Sequence, residues 1–209
     1  MRTKLYLIRH AATAINLMHP PQLQGRKMDP ELHPKGVRQS EATRDFLAVY
    51  PLDVIYTSPL QRARQTADII ASPHQLTPII SDALIECDIG LWEGKTWEEI
   101  KETEPEEYRA FHADPATHGY AGGENFQQVY LRTLKAINEI LDRHAGANIL
   151  VVSHHIVNRT FLAGVLGMGP ARARMISLDN CALSVIVQEN GKTSLNCLNS
   201  SFHLDGIGM

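Results

Sequence analysis

Leu5-Tyr6-Leu7-Ile8-Arg9-His10 is four apolar residues closed by a guanidinium and an imidazole. Preceded by Met1-Arg2-Thr3-Lys4, the run is too short for a membrane span or a secretion signal, and residues 4–8 read as a strand buried on both faces. Three more stretches read the same way: Asp53-Val54-Ile55-Tyr56-Thr57, residues 77–80, and Asn148-Ile149-Leu150-Val151-Val152, which is closed by Ser153-His154-His155. Helical stretches fall between them, over Pro34 to Tyr50, Leu60 to Ala71 and Glu124 to Ala145. The last carries Phe126, Val129, Leu134, Ile137 and Leu141 at helical spacing on one face. Residues 182–198 read as a hairpin turning at Asn190-Gly191, a pair suited to positive φ. Strands alternating with helices predict an α/β fold of three layers, a mostly parallel sheet with helices on both faces. One domain is expected over residues 1–209. Residues 86–124, with Pro105, Pro115 and Gly122-Gly123, break the rhythm and read as an inserted lid with little regular structure of its own.

The composition narrows the partners. Lys plus Arg number 20 against 23 Asp plus Glu, a formal charge of -3 that disfavours broad capture of nucleic acid. No membrane partner is expected, and no oligomeric state is assigned. Cys87, Cys181 and Cys197 lie far apart without C-x-x-C spacing, and read as free thiols in a reducing cytoplasm.

The polar residues at the strand ends carry the chemistry. Arg9 and His10 follow the first strand, Arg62 follows the second just inside the next helix, Glu86 follows the third, and His154 follows the fourth. In open α/β sheets ligands bind beyond the carboxyl ends of the strands, so these groups converge on one edge. An imidazole nitrogen can attack phosphorus and divide one hard step into two. Guanidinium groups match phosphoryl oxygens with paired hydrogen bonds, and a carboxylic acid can protonate a leaving oxygen. A small phosphorylated metabolite is the expected substrate, with no cofactor and no metal. Adjacent His154 and His155 would point in divergent directions, and no carboxylate or Cys stands at ligand spacing beside them.

The segment Leu7-Ile8-Arg9-His10-Ala11-Ala12-Thr13-Ala14-Ile15-Asn16 resembles the R-H-G-x-T-x-x-N signature of the histidine phosphatase, or phosphoglycerate mutase-like, family. Gln24-Gly25 and Leu32 to Gly36 resemble its next loop and helix start. Ser58-Pro59-Leu60-Gln61-Arg62-Ala63-Arg64-Gln65-Thr66-Ala67 resembles S-x-L-x-R-A-x-Q-T-A, and Leu84-Ile85-Glu86 with Gly90-Leu91-Trp92-Glu93-Gly94 resembles the acid-bearing block. Gly122-Gly123-Glu124 and Val152-Ser153-His154 complete the order. The resemblance implies that His10 is the nucleophile, that Arg9, Arg62 and His154 form the phosphate pocket, and that Glu86 donates the proton. It implies that Asn16, Gln24 and Gly25 line the substrate side.

Three residues depart from the pattern: Ala11 and His155 stand where Gly is usual, and Asn125 where Ser is frequent. His155 would narrow the pocket, contact substrate or hydrogen-bond an incoming water. His203, in an Asn199-x-x-x-His203-Leu204 ending, reads as either a substrate contact or a surface residue. Trp92 and Trp97 read as lid core, and the Glu-rich run from Glu98 to Glu107 as a solvated helix face. The function expected is a metal-independent phosphomonoesterase working through phosphohistidine. The alternatives are a phosphoglycerate mutase with the same chemistry and, in another class, a non-catalytic module that binds phospho-ligands. Mutases of this family tend to carry a longer insertion, so the short one here favours hydrolysis. The cysteine phosphatase loop and the P-loop are both absent from the sequence.

Overall fold

The structure is a computed structural model and describes residues 1–207; Gly208 and Met209, within the expected domain, lie outside the described residues. Strand β1 (Arg2–Arg9) is followed by α1 (Pro34–Leu47), β2 (Val54–Thr57), α2 (Gln61–Ala71) and β3 (Ile79–Ile80). Then come α3 (Trp97–Thr103), α4 (Pro105–Ala113), α5 (Phe126–Arg143), β4 (Asn148–Ser153), α6 (His155–Val165), β5 (Leu183–Glu189) and β6 (Lys192–Ser200). The sheet order is β3-β2-β4-β1-β5-β6. The first four strands are parallel, and β5 and β6 add an antiparallel edge. The expected three-layer, mostly parallel sheet is therefore present.

The alternation of side chains along β1 and β4 divides the core in two. Leu5, Leu7, Ile149 and Val151 face α5 and α6, where they meet Val129, Ile137, Val157 and Phe161. Tyr6, Ile8, Leu150 and Val152 face α1 and α2, where they meet Leu47, Ala63, Ala67 and Ile70. Each of the Leu, Ile, Val and Phe side chains among these, fully buried, contributes about 1.5–3 kcal/mol. Because both faces are covered, these strands are continuous apolar runs, and this is why they stand out in the sequence.

Where boundaries differ from the sequence reading, local chemistry explains it. Helix α1 stops at Leu47 rather than Tyr50. Pro51 disfavours helical backbone in the residue before it. Helix α5 starts at Phe126 rather than Glu124, because Asn125 accepts from the Gln128 amide while Gln128 reaches back, a closed capping box. Asn in place of Ser thus keeps the same cap. Strand β3 is not the buried run expected over 77–80: it is two residues at the sheet edge, with Ile79 44% and Ile80 50% exposed. Leu134 of α5 is only partly buried. The hairpin turns as expected, with Asn190 at φ 51 and Gly191 at φ 73.

Residues 86–124 are more ordered than the sequence suggests. Pro105 opens α4 rather than breaking a helix, since a proline at the first helical position lacks only an amide that would go unpaired. Thr96 and Glu99 close a capping box on α3. Trp92 is fully buried and packs against Trp97, Phe111 and Tyr120 at ring separations of 6.0, 5.5 and 5.8 Å. Trp92 is core of this segment, and Trp97, partly buried, packs against it. Most of the Glu run is exposed, but Glu104 turns inward to accept from Trp92 Nε1 at 2.7 Å and to pair with Lys95. Among the described residues no helix is long and apolar enough to cross a membrane.

Candidate active site

Register brings the site together. Arg9 pairs with Ser153 across β1 and β4, and Thr57 with Val152 across β2 and β4. The His10 amide donates to the Ser153 carbonyl at 2.9 Å, and the Ser58 amide to the Val152 carbonyl at 3.1 Å. Three adjacent strands therefore end level, with His10, His154 and Ser58 side by side. The His10 and His154 rings are 5.1 Å apart. Gly36 lets α1 press on the loop after His10, because a Cβ there would collide with the Ala12 carbonyl.

His10 is buried, and its Nδ1 lies 2.8 Å from the Ala11 carbonyl. A carbonyl only accepts, so Nδ1 carries the hydrogen and Nε2 keeps its lone pair. Arg62 Nε donates to that lone pair at 3.3 Å. Burial, then the charges of Arg62 and Arg9, hold the His10 pKa well below 6.5, so the ring is neutral and nucleophilic. The methyl of Ala11 is fully buried.

Arg62 is itself fully buried and is aimed by the loop in front of it. Its Nη1 donates to the Met28 carbonyl at 3.0 Å and to Asp29 Oδ1 at 3.3 Å, and its Nη2 to the Gly25 carbonyl at 2.8 Å. Arg9 Nη1 donates to the Leu178 carbonyl at 2.8 Å, while its buried Nε has no partner. Burial lowers the Arg9 pKa to about 10, still charged at neutral pH.

Glu86 is buried, with its carboxyl oxygens facing the Cys87 amide at 2.8 Å and the Ile156 amide at 3.3 Å. Burial raises its pKa above 4.5, against the opposing pull of the Cys87 amide and Arg62. A carboxyl that holds its proton more tightly suits a general acid. His154 is fully buried, its Nε2 is 2.6 Å from Ser58 Oγ, and its Nδ1 has no partner.

Arg9, His10 and Glu86 edge a cavity of about 130 Å³ that is also lined by Asn16, Gln24 and His155, among others, and walled by Leu23, Ile89, Tyr120 and Ile156. Hollows of about 610 and 510 Å³ occur elsewhere, and neither is lined by His10, Glu86 or either active-site Arg. The small cavity is the one with convergent chemistry.

The family model described as the histidine phosphatase superfamily (branch 1) matches residues 5–201. The chain belongs to the histidine phosphatase superfamily. Phosphoserine phosphatase 1 of Hydrogenobacter thermophilus is 35% identical over 201 residues, covering 96% of this chain and 94% of the relative. The metal-independent phosphoserine phosphatase of Arabidopsis thaliana is 29% identical over 211 residues, covering 99% of this chain and 85% of the relative. The solved structure of YhfR from Bacillus stearothermophilus superposes with a TM-score of 0.88 at 30% identity, covering 97% of this chain and all of that one.

Four of this histidine phosphatase's sequence-predicted residues do not line the cavity: Arg62 and His154, both fully buried and adjoining His10, and Gly25 and His203. His203 does not line it: its Nε2 lies 3.1 Å from both Thr43 Oγ1 and the Cys181 carbonyl, and its ring stacks on Phe46. It fastens the C-terminal segment to α1. Gly25 is not among the residues lining the cavity; its carbonyl accepts from Arg62 Nη2, and a Cβ on it would lie 2.6 Å from Ile89. Asn16 and Gln24 do line the cavity, joined through Asn16 Nδ2 to Gln24 Oε1 at 3.3 Å. His155 lines it too, from the first position of α6, with its pKa lowered by burial and by Arg9.

Three contributors escape sequence reasoning. Arg132 of α5 donates to the carbonyls of Ala83, Ile85 and Glu86 and pairs with Glu124 at 2.8 Å, so it holds the strand of backbone that carries the acid. Asn180 donates to the His10 carbonyl at 2.8 Å. Tyr120 reaches the cavity wall from the lid. All three act across long sequence separations, mostly on backbone, which leaves no local pattern to find.

Proposed function

We infer that this histidine phosphatase hydrolyses a small phosphomonoester through a phosphohistidine at His10. The observation that carries the reading is the His10 ring itself, neutral, with Nδ1 committed to Ala11 and Nε2 turned to Arg62. A phosphoryl group entering the cavity would take over the Arg62 donor, and with Arg9 and His154 would have its oxygens surrounded by N–H groups. That releases the Nε2 lone pair to attack phosphorus. The phosphorus–oxygen bond to the leaving group breaks, and Glu86 gives that oxygen its proton. The Glu86 carboxylate then takes a proton from a water, whose oxygen attacks phosphorus and returns His10 to its neutral form. Free phosphate and an alcohol are the products.

Transfer back to substrate, as in a mutase, is the second reading. The packed helices of the lid weaken the expectation that this segment is too irregular to shield the phosphoenzyme. Hydrolysis rests instead on the match to phosphatases across nearly the whole chain. The three free cysteines are the reason for placing the enzyme in a reducing cytoplasm.

The charge of Arg9 and Arg62 does the work a divalent cation would otherwise do at the phosphoryl group. A phosphate-release screen over small phosphomonoesters, phosphoserine and a monophosphoglycerate included, should give inorganic phosphate at undiminished rate after exhaustive chelation. An isomeric phosphoglycerate forming much faster than phosphate, stimulated by a bisphosphoglycerate primer, would establish the mutase instead. Activity lost on chelation and restored by metal would refute the metal-free mechanism.

A further inference from the structure

Ser58 is the first residue beyond β2, and neither the nucleophile nor the acid touches it. Its side chain is fully buried, and its Oγ lies 2.6 Å from Nε2 of the equally buried His154. The same Oγ accepts from the Leu60 amide at 3.3 Å. A serine hydroxyl has one hydrogen and two lone pairs. With the Leu60 N–H on one lone pair and no other acceptor within reach, the hydrogen is directed at His154 Nε2. In the neutral ring the proton must then reside on Nδ1, the nitrogen that is buried and has no partner. The opposite tautomer would leave the serine hydrogen unsatisfied. It would also leave the ring, whose centroid lies 5.1 Å from that of His10, with no hydrogen to offer a phosphoryl group there.

We propose that Ser58 is a positioning residue that fixes His154 as the neutral Nδ1–H tautomer, so that this hydrogen is donated to the transferring phosphoryl group. This rests on the phosphatase reading for its purpose, but its geometry belongs to the free enzyme. Protonating the ring is the other way to secure a donor, and the surroundings oppose it. Arg9 and His10 from the end of β1, Arg62 from α2 and Arg132 from α5 all present positive or potentially positive groups to it. Glu86, which faces the Ile156 amide, is the nearby acid, and its own burial favours the protonated form. Burial and these charges keep the His154 pKa well below 6.5, so a hydroxyl in place of a carboxylate sets the tautomer without adding charge.

The test begins with the ¹⁵N shifts of His154 in the ligand-free protein at neutral pH. The wild type should show a protonated Nδ1 and a bare Nε2, and Ser58→Ala should show a mixture or the reverse. Ser58→Ala should lose roughly tenfold or more in kcat, less than the 10²–10³-fold typical of deleting an oxyanion donor outright. Part of that loss should return toward acid pH, where the imidazolium donates from both nitrogens. Ser58→Thr, which keeps the hydroxyl, should restore the wild-type tautomer and pH profile. A wild-type ring protonated on Nε2, or charged at neutral pH, would overturn the proposal. So would a Ser58→Ala protein with unchanged tautomer and unchanged pH profile. If the tautomer is as stated but no phosphomonoester is turned over, the functional reading fails and the positioning role of Ser58 stands.

Discussion

His10→Ala is expected to abolish turnover of every phosphomonoester the wild type accepts, a loss on the order of 10⁴-fold or more. The other imidazole lining the cavity, His155, stands on α6 and is not the acceptor of Arg62 Nε. Cys87 is fully buried, its thiol pKa is raised well above 9.0 by burial, and its Sγ faces the Asp88 carbonyl. His154 Nδ1 carries a hydrogen on the reading above, so it presents no lone pair to phosphorus. The substitution also removes the acceptor of Arg62 Nε, but the other Arg62 bonds to Gly25, Met28 and Asp29 remain. The variant should therefore fold and still bind inorganic phosphate, with a melting temperature near the wild type. Thermal melting, phosphate binding and turnover together separate loss of the nucleophile from loss of the site. Residual activity within tenfold of wild type would mean that another group attacks.

Glu86→Gln should be the next largest loss, and it should depend on the leaving group. An alkoxide cannot leave without a proton, so alkyl phosphates should lose about 10²–10⁴-fold. The p-nitrophenolate of p-nitrophenyl phosphate leaves unaided, and there the loss should stay below about tenfold. The sign of the pH dependence follows from the same group. With Glu86 as the acid on the proposed reading and its pKa raised above 4.5 by burial, activity on alkyl phosphates should be present while the proton is held and fall as pH rises through the raised value. Bound phosphate, an anion beside the carboxyl, extends that window upward. On the same reading His10 attacks in its neutral form, and its pKa lies well below 6.5, so its limb should fall on the acid side. Equal losses on both kinds of ester, or activity on alkyl phosphates that climbs steadily into alkaline solution, would remove Glu86 from the acid role.

Much of the layout is visible in the sequence because of one physical circumstance. Strands β1, β2 and β4 are covered on both faces, so they are unbroken apolar runs, and the polar residues that end them must lie at the open edge of the sheet. Arg9, His10 and His154 stand out for that reason. Strand β3 is obscured by its place at the edge: Ile79 and Ile80 look like core but have a single neighbouring strand. Helix α4 is hidden by Pro105, which can open a helix as readily as end one. His203 has the right residue type and a suggestive ending, yet Thr43 and Phe46 of α1 capture it, a contact spanning 160 positions in the case of Thr43. Ser58, Arg132 and Asn180 contribute through a ring nitrogen or backbone carbonyls, and only folded coordinates reveal which ones.

The central claim is that the phosphoryl group passes through His10, and rapid quenching reads that step directly. The wild type, mixed with ³²P-labelled substrate and quenched in alkali within a turnover, should carry label that is stable to base and lost in acid. Peptide mapping should place it on the fragment containing Arg9-His10-Ala11, and label should appear before free phosphate and decay as phosphate is released. Label on any other residue, or phosphate released in the first turnover with none on the protein, would contradict the account.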